Sequence, residues 1–152
     1  MMIRESTSDD HAAVIQIAES LPEWFDETAR RRSIPIDVKH QGGFVALLDG
    51  VVVGFVTLYV SEGRVNMGWL AVRREFHRQG IGRALLARVA AWASELGIGE
   101  IATCTLGDGV DYAPFEQTRR FYFRNGFEVY QRSQTDNPGC PEEIRIRKKV
   151  PA

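Results

Sequence analysis

Apolar positions along the chain change period several times, and the changes mark out its elements. Met2 to Glu5 reads as a short first strand. Val14, Ile15, Ile17, Ala18 and Leu21 then fall on one helical face behind Thr7 or Ser8, either of which can cap a helix carrying Asp9 and Asp10 in its first turn. This helix is expected to end near Ser20. Pro22 suits the start of a second helix, PEWFDETARRR, polar apart from Trp24 and Phe25, and Pro35 is expected to stop or kink the chain beyond it. From Gly43 the pattern turns to strand: FVALLD, VVVGFVTLYV and VNMGWLAV, joined by turns at Asp49-Gly50 and Glu62-Gly63, predict a three-stranded antiparallel meander.

Helical period returns at Ile81, Leu85, Val89, Trp92 and Leu96, with Gly97 and Gly99 ending the run. IATCTL reads as a buried strand. Pro114 then opens a helix on which Phe115, Thr118, Tyr122 and Asn125 share a face, closed by Asn125 and Gly126 in a left-handed cap. FEVYQR and EEIRIRKKV supply two closing strands. No repeat, low-complexity tract or linker interrupts this order, so residues 1–152 are expected to form a single domain of α/β (α+β) class.

Composition narrows the function classes. With 44% hydrophobic and 26% charged residues, neither disorder nor a fibre is indicated. Nineteen Lys+Arg against twenty Asp+Glu give a net charge of -1, which offers no bulk attraction to nucleic acid or an anionic membrane. Cys104 and Cys140 show no CxxC or His-linked spacing, so no metal site is expected and both are read as reduced thiols. Asp9, Asp10 and Gln16 break the N-terminal stretch where a signal peptide needs an apolar core, and no run reaches membrane-spanning length. A cytoplasmic location is the expectation.

The stretch richest in chemistry is VNMGWLAVRREFHRQGIGRALLAR, from Val65 to Arg88. A strand running through Gly80 and Gly82 into a helix is an anion-binding device, because the first helical amides lack intrahelical acceptors and the helix dipole favours negative charge there. A P-loop would need Lys and Ser or Thr after the second glycine, and here Arg83 and Ala84 stand instead. A dinucleotide turn would need a third glycine where Leu85 stands, and the antiparallel meander upstream does not build that fold. A plain glycine turn starting a helix is the alternative on these residues alone.

LAVRREFHRQGIGRALL, with TRRFYFRNGFE about forty residues later, resembles the two signature regions of the GNAT superfamily of N-acetyltransferases. The resemblance covers essentially the whole chain. It implies a central, mixed but mostly antiparallel sheet flanked by helices, with strands splayed at the cofactor site, and acetyl-CoA as co-substrate. By the same resemblance Leu70 and Val72 would hydrogen-bond the pantetheine arm, and the amides of Gln79, Gly80, Ile81, Gly82 and Arg83 would hold the pyrophosphate, with Arg78 and Arg83 adding charge. His77 stands where the family usually has Arg or Gln, and Phe115 replaces an Asn that often contacts the cofactor.

Moving an acetyl group from a thioester to an amine requires a neutral amine, a stabilised oxyanion and a protonated leaving thiolate. Tyr122 occupies the position of the family's tyrosine general acid, and the Val72 amide is the first candidate for the oxyanion. The strand before LAV carries Asn66, Met67, Gly68 and Trp69 where many members place a glutamate base. Glu23, Asp26, Glu62, Asp111, Glu116 or a water relay through Asn66 are the remaining candidates. With Cys104 in a predicted buried strand, direct transfer in a ternary complex is favoured over an acetyl-cysteine.

The acceptor is expected to be a small-molecule or peptide amine. Asp26, Glu27, Asp108, Asp111 and Glu116 would suit a cationic one, with Trp24, Phe25 and Tyr112 against its carbon skeleton. A homodimer is left open. The competing class is a non-catalytic acyl-CoA-binding or regulatory module, suggested by the missing glutamate; a dinucleotide-dependent enzyme is the third.

Overall fold

The computed structural model describes residues 1–136 and 141–152, so Cys140 lies outside the described residues. Among these, seven strands form one sheet: β1 (Met2–Glu5), β2 (Gly42–Leu48), β3 (Val51–Ser61), β4 (Arg64–Val72), β5 (Glu100–Leu106), β6 (Glu128–Gln134) and β7 (Glu142–Lys149). Their order is β1-β2-β3-β4-β5-β7-β6. Every neighbouring pair is antiparallel except β4 and β5, which are parallel and joined by a helical crossover. The meander is as expected, and both hairpin turns place two consecutive residues at positive φ, Asp49 and Gly50 (50° and 78°), then Glu62 and Gly63 (56° and 75°). That is the backbone twist a two-residue hairpin requires.

Helices cover both faces. On one, α3 (Ile81–Glu95) and α4 (Ala113–Arg124) bury Ile81, Leu85, Val89 and Tyr122 against Val65, Met67, Ile101, Ile144 and Ile146. On the other, α1 (His11–Glu19) and α2 (Ile34–His40) bury Val14, Ile17, Ile34 and Val38 against Val45, Val52, Phe55 and Ala71, which belong to β2, β3 and β4 only. β3 is covered on both sides from Val52 to Leu58, which is why its sequence is a continuous apolar run rather than an alternation. Each of these large side chains contributes about 1.5–3 kcal/mol by leaving water.

The start of α1 is tied to β1. Thr7 caps a 3-10 turn, Ser8–Asp10, and the Asp10 carboxylate accepts from the Thr7 amide at 2.8 Å and from the Arg4 guanidinium at 2.8 and 2.9 Å. The arginine beside it holds this buried carboxyl below the usual carboxylate range.

The region after α1 departs from expectation. Residues 22–26 form a turn, and the helix begins only after Asp26, whose Oδ1 accepts from the Ala29 amide at 2.8 Å as an N-cap. It then runs through Pro35 to His40. A π-helical stretch, Ala29–Ser33, precedes the proline, with the Ile34 amide bonding back to the Ala29 carbonyl. The widened turn lies where Pro35 removes a donor, so the proline occupies the first turn of α2 instead of stopping the helix. Two smaller expectations also fail. Leu96 lies just past the end of α3 and is 49% exposed, and Cys104 is exposed, because no helix covers its face of β5.

Candidate functional site

β4 and β5 pair only from Val65 to Met67 and from Ile101 to Thr103. Beyond that point β4 stays on β3 while β5 stays on β7, and the two strands part. The opening leads into a cleft of about 1670 Å³. Antiparallel alternation determines which backbone groups of β4 face it. The Trp69 amide donates to the Thr57 hydroxyl at 2.9 Å and the Arg73 amide to the Val53 carbonyl at 2.8 Å, so odd-numbered residues point toward β3. Leu70 and Val72 therefore direct their amides and carbonyls into the opening. The Thr57 hydroxyl serves the irregularity at Gly68 and Trp69, where two β4 residues oppose one of β3.

The loop after β4 delivers the chain to α3. Arg78 and Gly80 both adopt left-handed conformations, with φ of 61° and 82°. Gly80 is the N-cap of α3, and the first intrahelical bond is Ala84 to the Gly80 carbonyl, which leaves the Ile81, Gly82 and Arg83 amides without intrahelical acceptors. Of the nine residues expected at the donor site, Leu70, Val72, His77, Arg78, Gly80, Ile81, Gly82 and Arg83 line the cleft. Gln79 does not: its side chain turns back to the Glu75 carbonyl at 3.3 Å. The loop is held over the opening by packing, since a Cβ on Gly54 of β3 would come within 3.3 Å of Ile81.

The two glycines play different parts. A Cβ at Gly80 would meet nothing within 4 Å, so what that position requires is its backbone conformation. A Cβ at Gly82 would lie 3.1 Å from the Phe121 ring, so Gly82 lets α4 approach α3. The His77 ring has a partner within the chain. Its Nε2 lies 2.7 Å from the Val72 carbonyl oxygen and must donate to it, while the ring meets Trp24 edge-on at 5.3 Å. The imidazole therefore ties the loop to the end of β4 and leaves the Val72 amide facing the opening.

Tyr122 lies at the floor of the cleft, 6% exposed, between Phe121 and Phe127 at ring distances of 5.3 and 5.2 Å. It is both a core aromatic and a cleft residue. Burial pushes its phenol up, opposed in part by a hydrogen bond with the Thr103 hydroxyl, so the proton is retained throughout the neutral range. Thr103 is also the last β5 residue paired with β4, and its hydroxyl donates to the Met67 carbonyl at 3.0 Å. A buried, protonated phenol is thus fixed at the point where the strands part. Cys104 comes next, on the opposite face. Although the residue is exposed, partial desolvation of its sulfur at the cleft and the nearby Glu143 carboxylate raise its pKa, which keeps it a thiol and a poor nucleophile at neutral pH.

The far wall of the cleft is made by the turn at 22–26 and by Trp69. Phe25 meets Trp69 edge-on at 5.7 Å, the Trp69 indole donates to Asp37 at 2.8 Å, and the Trp24 indole donates to the Pro114 carbonyl at 3.1 Å. Arg74 joins this turn to the loop through Glu23 and the Ser20 carbonyl.

Most acids expected here have other tasks. Glu23 pairs with Arg74, Glu27 with Arg31, Glu62 with Arg64 and Glu116 with Arg120. Asp108, Asp111 and Glu116 line a separate shallow depression outside α4. Asn66 donates to the Ser61 and Arg64 carbonyls and so belongs to the hairpin turn. Asp26 reaches the cleft but caps a helix. Tyr112 is 37% exposed and packs on Phe115 at 4.6 Å. A carboxylate absent from the expected set, Glu143, does reach the cleft. The alternation of EEIRIRKK carries its signal: Ile144 and Ile146 point inward, so Glu143 must point to the opposite face. Among the described residues no helix is long and apolar enough to cross a membrane.

Comparison with known proteins agrees with this geometry. The profile of the acetyltransferase (GNAT) domain matches residues 39–129. The chain is 31% identical over 146 residues to an aminoglycoside N(6')-acetyltransferase type 1 from Stenotrophomonas maltophilia, covering 83% of this chain and 94% of that protein. A crystal structure of a GNAT-family protein from Desulfovibrio desulfuricans superposes with a TM-score of 0.80 at 26% identity over 98% of each chain. The fold is also that of an N-acetyltransferase from Thermoplasma acidophilum solved with coenzyme A, with a TM-score of 0.73 at 18% identity over 99% of this chain and 100% of that one. With a matching domain profile, a matching relative and the parted strands of the fold, this chain belongs to the GNAT acetyltransferases.

Proposed function

We propose that residues 1–152 act as one acetyltransferase domain that moves the acetyl group of acetyl-CoA directly to a primary amine of a small molecule. The parting of β4 from β5 carries this reading, because it leaves backbone donors and acceptors facing an open cleft beside a buried phenol. The Leu70 and Val72 backbone would align the pantetheine arm as an added strand. The free Ile81, Gly82 and Arg83 amides, with Arg78 and Arg83 nearby, suit a pyrophosphate at the N-terminus of a 15-residue helix. The Val72 amide would bind the oxyanion that develops at the thioester carbonyl, and Tyr122 would donate its proton to the departing sulfur. A raised thiol pKa at Cys104 favours direct transfer over a covalent intermediate. The relative from Stenotrophomonas maltophilia supports a small-molecule amine as acceptor.

The test is release of CoA thiol from acetyl-CoA across a panel of polyamines, aminoglycosides, amino acids and peptides. Amine-dependent release is expected. Tight CoA binding with no release for any amine would favour the non-catalytic module instead, a reading encouraged by the absence of a carboxylate among Asn66, Met67, Gly68 and Trp69.

A further inference from the structure

We propose that Glu143 is the acceptor-anchoring carboxylate of the cleft, receiving a cationic ammonium of the substrate on the face of the sheet opposite Tyr122. The proposal rests on the acetyltransferase reading above and names a residue and a substrate class for its acceptor side. β7 alternates: Ile144 and Ile146 are 1% and 0% exposed under α3 and α4, which turns Glu143, Arg145 and Arg147 to the other face. That face is covered by α1 and α2 over β2, β3 and β4 only, so the β5–β7 half stays open.

Register brings Glu143 to the transfer point. Leu106 pairs with Glu143 and Cys104 with Arg145, so Glu143 sits diagonally across from Cys104, and its carboxylate contacts the thiol. Cys104 directly succeeds Thr103, whose hydroxyl meets Tyr122 on the other face. The carboxylate and the phenol thus flank the parting of the strands from opposite sides. An acceptor held by one would present its amine toward the other.

Beyond its contact with the Cys104 thiol, Glu143 keeps accepting capacity, since a carboxylate has about four lone-pair sites. It lines the cleft and forms no ion pair among the described residues. Of its neighbours, Glu142 pairs with Arg132, and Arg145 faces Cys104 and hydrogen-bonds the Tyr130 hydroxyl. Asp26, the other acid on the cleft wall, is held by the Ala29 amide. Phe25 and Trp69 give the same wall aromatic surface for a cation or its carbon skeleton. A carboxylate with no ion-pair partner among the described residues, in a cleft that also carries aromatic rings, has the chemistry of an ammonium site.

The experiment is calorimetric titration of the CoA-loaded protein with spermine and with kanamycin, wild type against Glu143→Gln and Glu143→Asp. Wild type is expected to bind at least one of the two. Glu143→Gln should weaken that binding about tenfold or more, the loss of one charge-assisted hydrogen bond, with CoA affinity unchanged and Glu143→Asp in between. Equal amine affinity in wild type and Glu143→Gln overturns the proposal, as does binding of neither amine by wild type. Loss of CoA affinity along with amine affinity overturns it too, because the carboxylate would then serve the fold or the donor. If the amines bind through Glu143 yet no thiol is released from acetyl-CoA, the assignment of Glu143 stands and the transfer reading falls.

Discussion

On the proposed donor wall of the cleft the groups in position are backbone: the amides of Leu70, Val72, Ile81, Gly82 and Arg83, held by a parted strand and a left-handed glycine cap. On the proposed acceptor wall they are side chains, Phe25, Trp69, Cys104 and Glu143, which line the same cleft from a turn and three strands that are far apart in sequence. Backbone amides can be aimed by any side chains that preserve φ and ψ, so the donor wall is written in glycines and helix caps. The acceptor wall can change with single substitutions while the sheet stays the same. A family built this way can keep one donor and vary its acceptor.

The sharpest way to break this division is at Tyr122, where the two walls meet. Tyr122→Phe should lower kcat by ~10²-fold or more, as expected for loss of a general acid, with little change in the KM for acetyl-CoA. Equal turnover across the pH range would leave Tyr122 as a core aromatic only.

Next in size are the two glycines, which separate backbone from packing. Gly80→Val forces a β-branched residue to φ near 82° and should raise the KM for acetyl-CoA by about tenfold, at a strain of roughly 1–3 kcal/mol, with kcat nearly kept. Gly82→Val drives a side chain into Phe121, next to Tyr122, and should lower kcat and raise KM together. Steady-state kinetics of the pair would contradict the account if both acted on KM alone.

The smallest effect belongs to a site outside both walls. Asp10→Asn should cost about 1 kcal/mol at neutral pH by removing the charge that holds the Arg4 guanidinium and caps the Thr7 turn, with catalysis unaffected. The folded-state pKa of Asp10 lies below its unfolded value, so its stabilisation is present above the ordinary carboxylate pKa and disappears as pH falls through the lowered one. Thermal melts of wild type and Asp10→Asn should therefore converge in acid. A constant difference at all pH values would show that the charge is not the cause.

The same division explains how much is legible in the sequence. The meander, the glycine loop and α4 are local patterns: DG and EG turns, a 3.6-residue period, Pro114 at a helix start. The donor residues come with them, and all but Gln79 line the cleft. The acceptor side is hidden for three physical reasons. Pro35 reads as a helix stop or kink because the π-helical turn that accommodates it has no simple sequence signature. Cys104 reads as buried because an apolar run does not reveal that one half of a sheet face lacks a helix. Glu143 can be assigned to a face by alternation, but only the insertion of β7 between β5 and β6 puts it beside the strand that parts. On the donor side, the place of His77 in the loop points to phosphate, whereas its ring bonds the Val72 carbonyl.

The central claim is transfer of an acetyl group to an amine in this cleft, and the most direct measurement is CoA thiol release from acetyl-CoA with the amine panel. Release is expected to require an amine and to yield the acetylated amine in equal amount. CoA bound tightly, with no amine in the panel raising thiol release above the rate without amine, would contradict it.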